Sequence, residues 1–350
     1  MRILVTGSEG YIGSVLMPLA CAQGHDAVGL DAGWFSQCTF GPATGRQSFI
    51  CADVRDLRSS DLRGFDAVVH LAALSNDPLG SLDPQLTFEI NYKATVRLAR
   101  LAKEAGVVRF VFSSSCSSYG AAGNALLDEN ASCAPVTPYG RSKVLAERKL
   151  AALADDRFTP VILRNATAYG PSPRLRLDLV LNDFAASAAT SGHIVIRSDG
   201  SPWRPVVHVE DICRAFLAVL DAPQAAVHNQ AFNVGRTEEN YRVRELAEMV
   251  RRTVPGCRVE YARGGGPDKR CYRVDCGKIL RRVPGFVPHW TVPDGVRQLH
   301  EAYYDAGFVD ADLQSPRYVR LKTLQGLLAE GHVDTALRWS DRSEPVGAVV

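Results

Sequence analysis

Tyr139 and Lys143 stand four positions apart in "PYGRSKVLAE", Pro138 to Glu147, so a helix through this stretch sets a phenol and an ammonium on one face. A phenol of ordinary pKa, about 10, is a poor base at neutral pH, but a nearby positive charge favours its phenolate. Such a pair can accept a proton. The same spacing also occurs in ordinary amphipathic helices whose polar side chains sit in solvent, so the chemistry depends on what else the chain brings to the pair.

Three stretches upstream offer a phosphate and ribose site. "LVTGSEGYIG" carries Gly7, Gly10 and Gly13 between an apolar run and a helical pattern that opens near Tyr11 and Ile12. Glycines there allow a tight turn and close approach of a pyrophosphate, whose charge the first amides of the helix then hold. Asp31, in "VGLDAG", can accept from both adenosine ribose hydroxyls and would repel a 2′-phosphate, which favours NAD over NADP. Asp53 and Val54 in "CADVRD" follow the third apolar run, where Asp53 either accepts from the adenine amino group or caps the segment after it. Leu71, Ala72 and Ala73 in "HLAAL" leave the fourth run beside the pyrophosphate, while His70 reads as a packing residue.

The elements that must position these groups are legible as alternation. Arg2 to Thr6, Asp26 to Leu30, Ser48 to Ala52, Asp66 to Ala72, Val108 to Ser114 and Thr159 to Asn165 are short β-branched runs, with helical spacing between most of them, as from Pro84 to Lys103. This pattern predicts an α/β fold of Rossmann type, a doubly wound parallel sheet covered on both faces. Composition agrees: 350 residues with 46% hydrophobic and 22% charged side chains can bury a substantial core. A net charge of +2 without basic and aromatic runs argues against nucleic acid, and no segment is long and apolar enough for a membrane span. Nine scattered cysteines without a CxxC pair fit a reducing cytoplasm and no metal; Cys271 and Cys276 read as small buried side chains.

The fifth run leads into "VFSSSCSSYG", Val111 to Gly120, followed by Tyr139 and Lys143. Glycine turn, serine-rich strand end and YxxxK, in this order, resemble the extended short-chain dehydrogenase/reductases, most of all the UDP-galactose 4-epimerases and related nucleotide-sugar enzymes. The resemblance covers about Met1 to Asp310. It implies an NAD-binding domain over residues 1–165, to which 203–235 returns, a smaller nucleotide-sugar-binding domain over 166–310, and a helical tail over 311–350. Tyr139 and Lys143 would then act with Ser115, which shares the nicotinamide ribose with Lys143, and Ser113 would line the cofactor. Asn182 and Arg204 would contact the diphosphate of the substrate. Thr167 stands where the family has asparagine, and Asp268 and Arg270 stand near an expected arginine.

Dehydratases of the family carry an Asp-Glu pair where this chain has Cys116 and Ser117, so dehydration is disfavoured, with Cys116 the residue that keeps it open. The resemblance therefore implies an NAD-dependent nucleotide-sugar epimerase. A ketoreductase or dehydratase of modified sugars and a non-catalytic NAD-binding protein are the alternatives. It also implies a homodimer through the helices Pro84 to Lys103 and Tyr139 to Leu153. In the tail, Leu321, Leu324, Leu327 and Leu328 predict a helix over about 317–329 that ends near Gly331, then a shorter helix to Trp339. Trp34, Phe35 and Phe40 in the loop after Asp31 read as packing residues.

Overall fold

In a computed structural model describing residues 1–41, 49–262 and 270–340, seven parallel strands form the central sheet. Their spatial order is Gln230–Val234, Thr159–Asn165, Arg109–Ser115, Ala67–His70, Arg2–Thr6, Asp26–Asp31, Phe49–Cys51. Ala67–His70 and Thr159–Asn165 are buried at every position, as strands covered on both faces must be. Arg2–Thr6 pairs with Asp26–Asp31 on one side and Ala67–His70 on the other, so the strand order reverses there. A crevice opens at that switch point, beyond the carboxyl ends of the strands.

Helix Gly13–Ala22 shares one core with helix Val209–Asp221 through Leu16, Met17, Phe216 and Leu220. On the opposite face Leu98, Ala102, Ala146 and Leu150 bring helices Thr95–Glu104 and Pro138–Ala151 onto Phe110 and Phe158. A separate core joins helices Val180–Thr190, Val243–Thr253 and Val292–Asp305 beside the small sheet of Thr167–Tyr169, Trp203–His208 and Asn240–Arg242. Phe40 packs there, edge-on to Tyr303 and Tyr318. No helix among the described residues is long and apolar enough to cross a membrane.

Two expectations change in detail. The segment Pro84 to Lys103 is helical but contains a π turn, Glu89–Ala94, between Pro84–Phe88 and Thr95–Glu104. The tail helix runs from Arg320 to Ala329, not from 317, because the Tyr318 carbonyl accepts from the Leu177 amide. It ends at Gly331, φ +70°, where the His332 amide donates back to the Leu327 carbonyl and the Gly331 amide to that of Leu328. The second tail helix does not form. Val333 and Trp339 bridge antiparallel across a turn in which Asp334 accepts from the Arg338 amide and Leu337 takes φ +55°.

Candidate active site

The chain leaves strand Arg2–Thr6 through Gly7 at φ +78°, and a Cβ there would lie 2.7 Å from the Ala72 amide nitrogen. Gly13 is as constrained, since a Cβ would lie 2.7 Å from the Ser8 Cα. The turn and the "HLAAL" loop therefore touch backbone to backbone, leaving a cleft of about 350 Å³ above them. Gly7, Gly10, Tyr11, Ile12, Gly13, Asp31, Asp53, Val54, Leu71, Ala72 and Ala73 all line it. Asp31 is held by the Gly33 amide at 2.8 Å and the Glu9 amide at 3.0 Å. Burial pushes its carboxyl up to about 6, against those two amides.

Asp53 is engaged by its own neighbours, as the local-cap alternative expected. Both oxygens are taken by the Arg55 guanidinium, at 2.9 and 3.0 Å from Nε, and Arg338 of the tail adds a contact at 3.3 Å. Its carboxylate also accepts the Arg55 amide, closing a local turn. His70 is fully buried between the Thr6 and Thr95 hydroxyls, at 2.7 and 2.8 Å.

At the other end of the cleft lie Tyr139, Lys143, Ser113, Ser115 and Asn165. Thr137 caps helix Pro138–Ala151 by accepting from the Gly140 amide at 3.1 Å, and Pro138 starts it, so Tyr139 sits in the first turn facing the sheet. Glu147 and Arg164, both buried, pair at 2.7 Å and tie the same helix to strand Thr159–Asn165. Lys143 Nζ donates to the Ser113 carbonyl at 2.7 Å and lies 5.8 Å from the Tyr139 ring centre. Burial pulls its ammonium down to about 7. Burial and the Asp77 carboxylate push the Tyr139 phenol up to about 12, while a hydrogen bond with Ser115 and the charge of Arg176 favour the phenolate. Lys143, expected to favour the phenolate, is not among the main groups acting on the phenol.

Two expected site residues lie outside the cleft. Cys116 is 1% exposed, packs with Tyr119, Tyr272 and Cys276, and its thiol donates to the Arg164 carbonyl. Burial raises its pKa above the ordinary range and keeps it away from the cleft. Asn182 is fully buried. Its Oδ1 accepts from the Gly170 amide at 3.0 Å, and its Nδ2 donates to the Tyr11 hydroxyl at 3.1 Å and the Arg176 carbonyl at 3.0 Å, so it positions Tyr11 rather than touching substrate. Thr167, Arg204 and Arg270 do line the cleft, with the Arg204 guanidinium donating to the Trp203 carbonyl at 2.8 Å and Arg270 paired with Asp77. Asp268 falls outside the described residues.

Other groups carry no motif. The π turn directs Asn91 inward, where its amide accepts from the Leu74 amide at 2.8 Å and donates to the Ser142 hydroxyl at 3.3 Å. It thereby locks the cofactor loop to the tyrosine helix. Ser117 Oγ and Asn165 Oδ1 are buried without partners among the described residues, and both residues line the cleft. Arg176 and Asp178 pair at 2.8 Å, with Arg176 also on the Ser75 hydroxyl. Only the glycine spacing and YxxxK gave these neighbours any sequence signal.

The description of the NAD dependent epimerase/dehydratase family matches residues 3–235. The chain belongs to that family. It is 30% identical to a UDP-glucose 4-epimerase of Mycolicibacterium smegmatis over 87% of this chain and 98% of that one. Among solved structures it resembles MoeE5 in complex with UDP-glucuronic acid and NAD, with 28% identity, TM-score 0.73 and coverage of 87% and 99%. It also resembles DesIV, a dTDP-glucose 4,6-dehydratase from Streptomyces venezuelae, with 26% identity, TM-score 0.76 and coverage of 90% and 100%. The protein is thus an NAD-dependent enzyme of the epimerase/dehydratase family, and its residues fit the cofactor. The glycine turn leaves no room for side chains beside the cleft, the Asp31 carboxylate lines it, and Asn165, whose carbonyl has no partner among the described residues, lies in it beside Ser113.

Proposed function

We propose that the enzyme epimerises a nucleotide-diphosphate sugar at C4, with Tyr139 moving the C4 hydroxyl proton. The observation that carries this reading is that Tyr139 and Ser115 share a cleft in which Asp77 and Asp178 are each taken by a guanidinium. Asp77 pairs with Arg270 and Asp178 with Arg176. Both carboxylates are thus occupied by ion pairs, and Cys116 is sealed away. The acid and base that a dehydratase needs beside its Ser or Thr are therefore missing, which disfavours water elimination.

Bound NAD supplies the reversible oxidation of the sugar carbinol. The chain's own residues do the rest: Asp31 and the glycine turn hold the cofactor, Lys143 and Ser115 orient Tyr139, and Tyr139 takes the proton and returns it. Arg204 and Arg270 hold the substrate diphosphate, for which the planar fork of guanidinium is suited. Ser117, with its unpartnered hydroxyl, takes a sugar hydroxyl. Incubation with UDP-glucose, monitored by proton NMR for the galactose anomer, tests the reading directly. Formation of a 4-keto-6-deoxy sugar instead would assign a dehydratase.

A second copy of the chain is part of this reading, with the helical segments 84–104 and 138–151 pairing across a dyad. Their outward faces carry Arg97, Arg100, Arg141, Arg148 and Lys149, so pairing should strengthen as salt rises. Light scattering that shows monomer at all salt concentrations at micromolar protein rejects the dimer. A reducing cytoplasm as the working compartment fits the scattered cysteines of the sequence, which hold no CxxC pair.

A further inference from the structure

The cofactor end of the cleft contains a cation that the family reading leaves unused. Arg320, first residue of the tail helix, is 2% exposed and lines the cleft together with Gly10, Tyr11 and Phe35. Its Nη2 donates to the Arg174 carbonyl at 2.9 Å, and its Nη1 is buried with no hydrogen-bond partner among the described residues. The guanidinium lies over the Phe35 ring, 4.5 Å from the centroid, which fixes its plane. Neighbouring cations are neutralised, Arg174 by Glu9 and Arg176 by Asp178. No carboxylate pairs with Arg320 among the described residues. A buried, uncompensated cation is costly, and burial, with the charges of Arg176 and Arg174, pulls this guanidinium down to about 10.

We propose that Arg320 binds a diphosphate, that of NAD, so that the C-terminal tail closes over the cofactor and supplies a full charge where the glycine turn offers only amides. Its contacts lie on the cofactor side. Phe35 belongs to the loop that follows Asp31, and Arg174 pairs with Glu9, which stands between Gly7 and Gly10. The substrate side has guanidiniums of its own in Arg204 and Arg270, bonded through the Arg270 carbonyl. A phosphate in the cleft would meet the unpartnered Nη1 and offset the desolvation of the charge.

The inference rests on NAD occupying this cleft, and an unsubstituted protein that bound no NAD would remove that premise separately. The test titrates full-length, NAD-stripped protein and its Arg320→Gln variant with NAD, adenosine and UDP by calorimetry. NAD affinity should fall about 10- to 100-fold in the variant, with adenosine, which has no phosphate, unchanged within about twofold. Arg320→Lys, which keeps charge without the fork, should regain part of the loss. Unchanged NAD affinity overturns the proposal. So does a loss confined to UDP, which would move Arg320 to the substrate diphosphate, or an equal loss for adenosine, which would make its role structural. If Arg320→Gln does not fold, Arg320→Lys carries the test: a several-fold loss for NAD alone supports the proposal and no loss overturns it.

Discussion

On the proposed function, removing the Tyr139 hydroxyl takes away the proton acceptor while leaving the ring in the first turn of its helix. Tyr139→Phe should therefore lower turnover by about a hundred- to ten-thousand-fold and leave NAD bound; turnover within threefold of the unsubstituted enzyme would return the proton to another residue. Asp31 carries a pH signature of two opposite signs. Its carboxyl sits at about 6 in the NAD-free protein, above the value for an unfolded chain, so its burial penalty is present above pH 6 and relieved as pH falls through it. On the proposed role of Asp31 as acceptor for the ribose, NAD affinity should hold above pH 6 and drop by up to about tenfold per unit below it, while the NAD-free protein gains stability over the same interval. Titrations at pH 5 to 8 check the first sign and urea melts the second. Affinity that stays flat through pH 5 would show that Asp31 does not hold the ribose.

Helix Pro138–Ala151 delivers Tyr139 and Lys143, and the buried Glu147–Arg164 pair holds it to the sheet. Glu147→Gln leaves the Arg164 guanidinium uncompensated, so we expect a loss of roughly 3–5 kcal/mol in urea denaturation, with weaker catalysis because the helix is no longer pinned. A loss below 1 kcal/mol would mean that Arg164 finds another partner, such as the Tyr119 hydroxyl at 3.1 Å. This pair also shows where sequence reading stops. Glycine turns, β-branched runs and a YxxxK helix each have a local pattern, which is why strands Arg2–Thr6 and Thr159–Asn165 were legible to the residue. Glu147 and Arg164 lie in different elements and carry no spacing signal, and Asn91 depends on a π turn that leaves no mark in the helical period. Asn182 and Cys116 were misplaced because alignment to a motif fixes a position along the chain but not the direction of the side chain. Asn182→Ala should cost roughly 1–3 kcal/mol, by leaving the Gly170 amide and Tyr11 hydroxyl short of a partner, without any direct loss of substrate contact.

At the scale of the whole molecule, the tail is the element that joins otherwise separate walls of the cleft. Leu324, Val333 and Leu337 pack with Leu74, Leu79, Leu86 and Ile90, against the partly buried Trp34 and Phe35. Trp339 donates its indole N–H to the Ala32 carbonyl, the Arg55 guanidinium donates to the Ala336 carbonyl at 2.8 Å, and Arg338 pairs with Asp56 and Asp53. These contacts bind the loop after Asp31 and the turn after Asp53, both of which border the adenosine end. Ending the chain after Val319 keeps Tyr318 in the second core and removes the rest. The shortened protein should keep its far-ultraviolet circular dichroism, because both faces of the central sheet are packed without the tail, but melt earlier and elute from gel filtration with little NAD. Catalysis should then depend on added NAD, with KM for the cofactor raised more than kcat is lowered. If the shortened protein instead retains stoichiometric NAD and unchanged kinetics, the tail merely covers apolar surface and the cofactor is held by the sheet and its glycine turn alone.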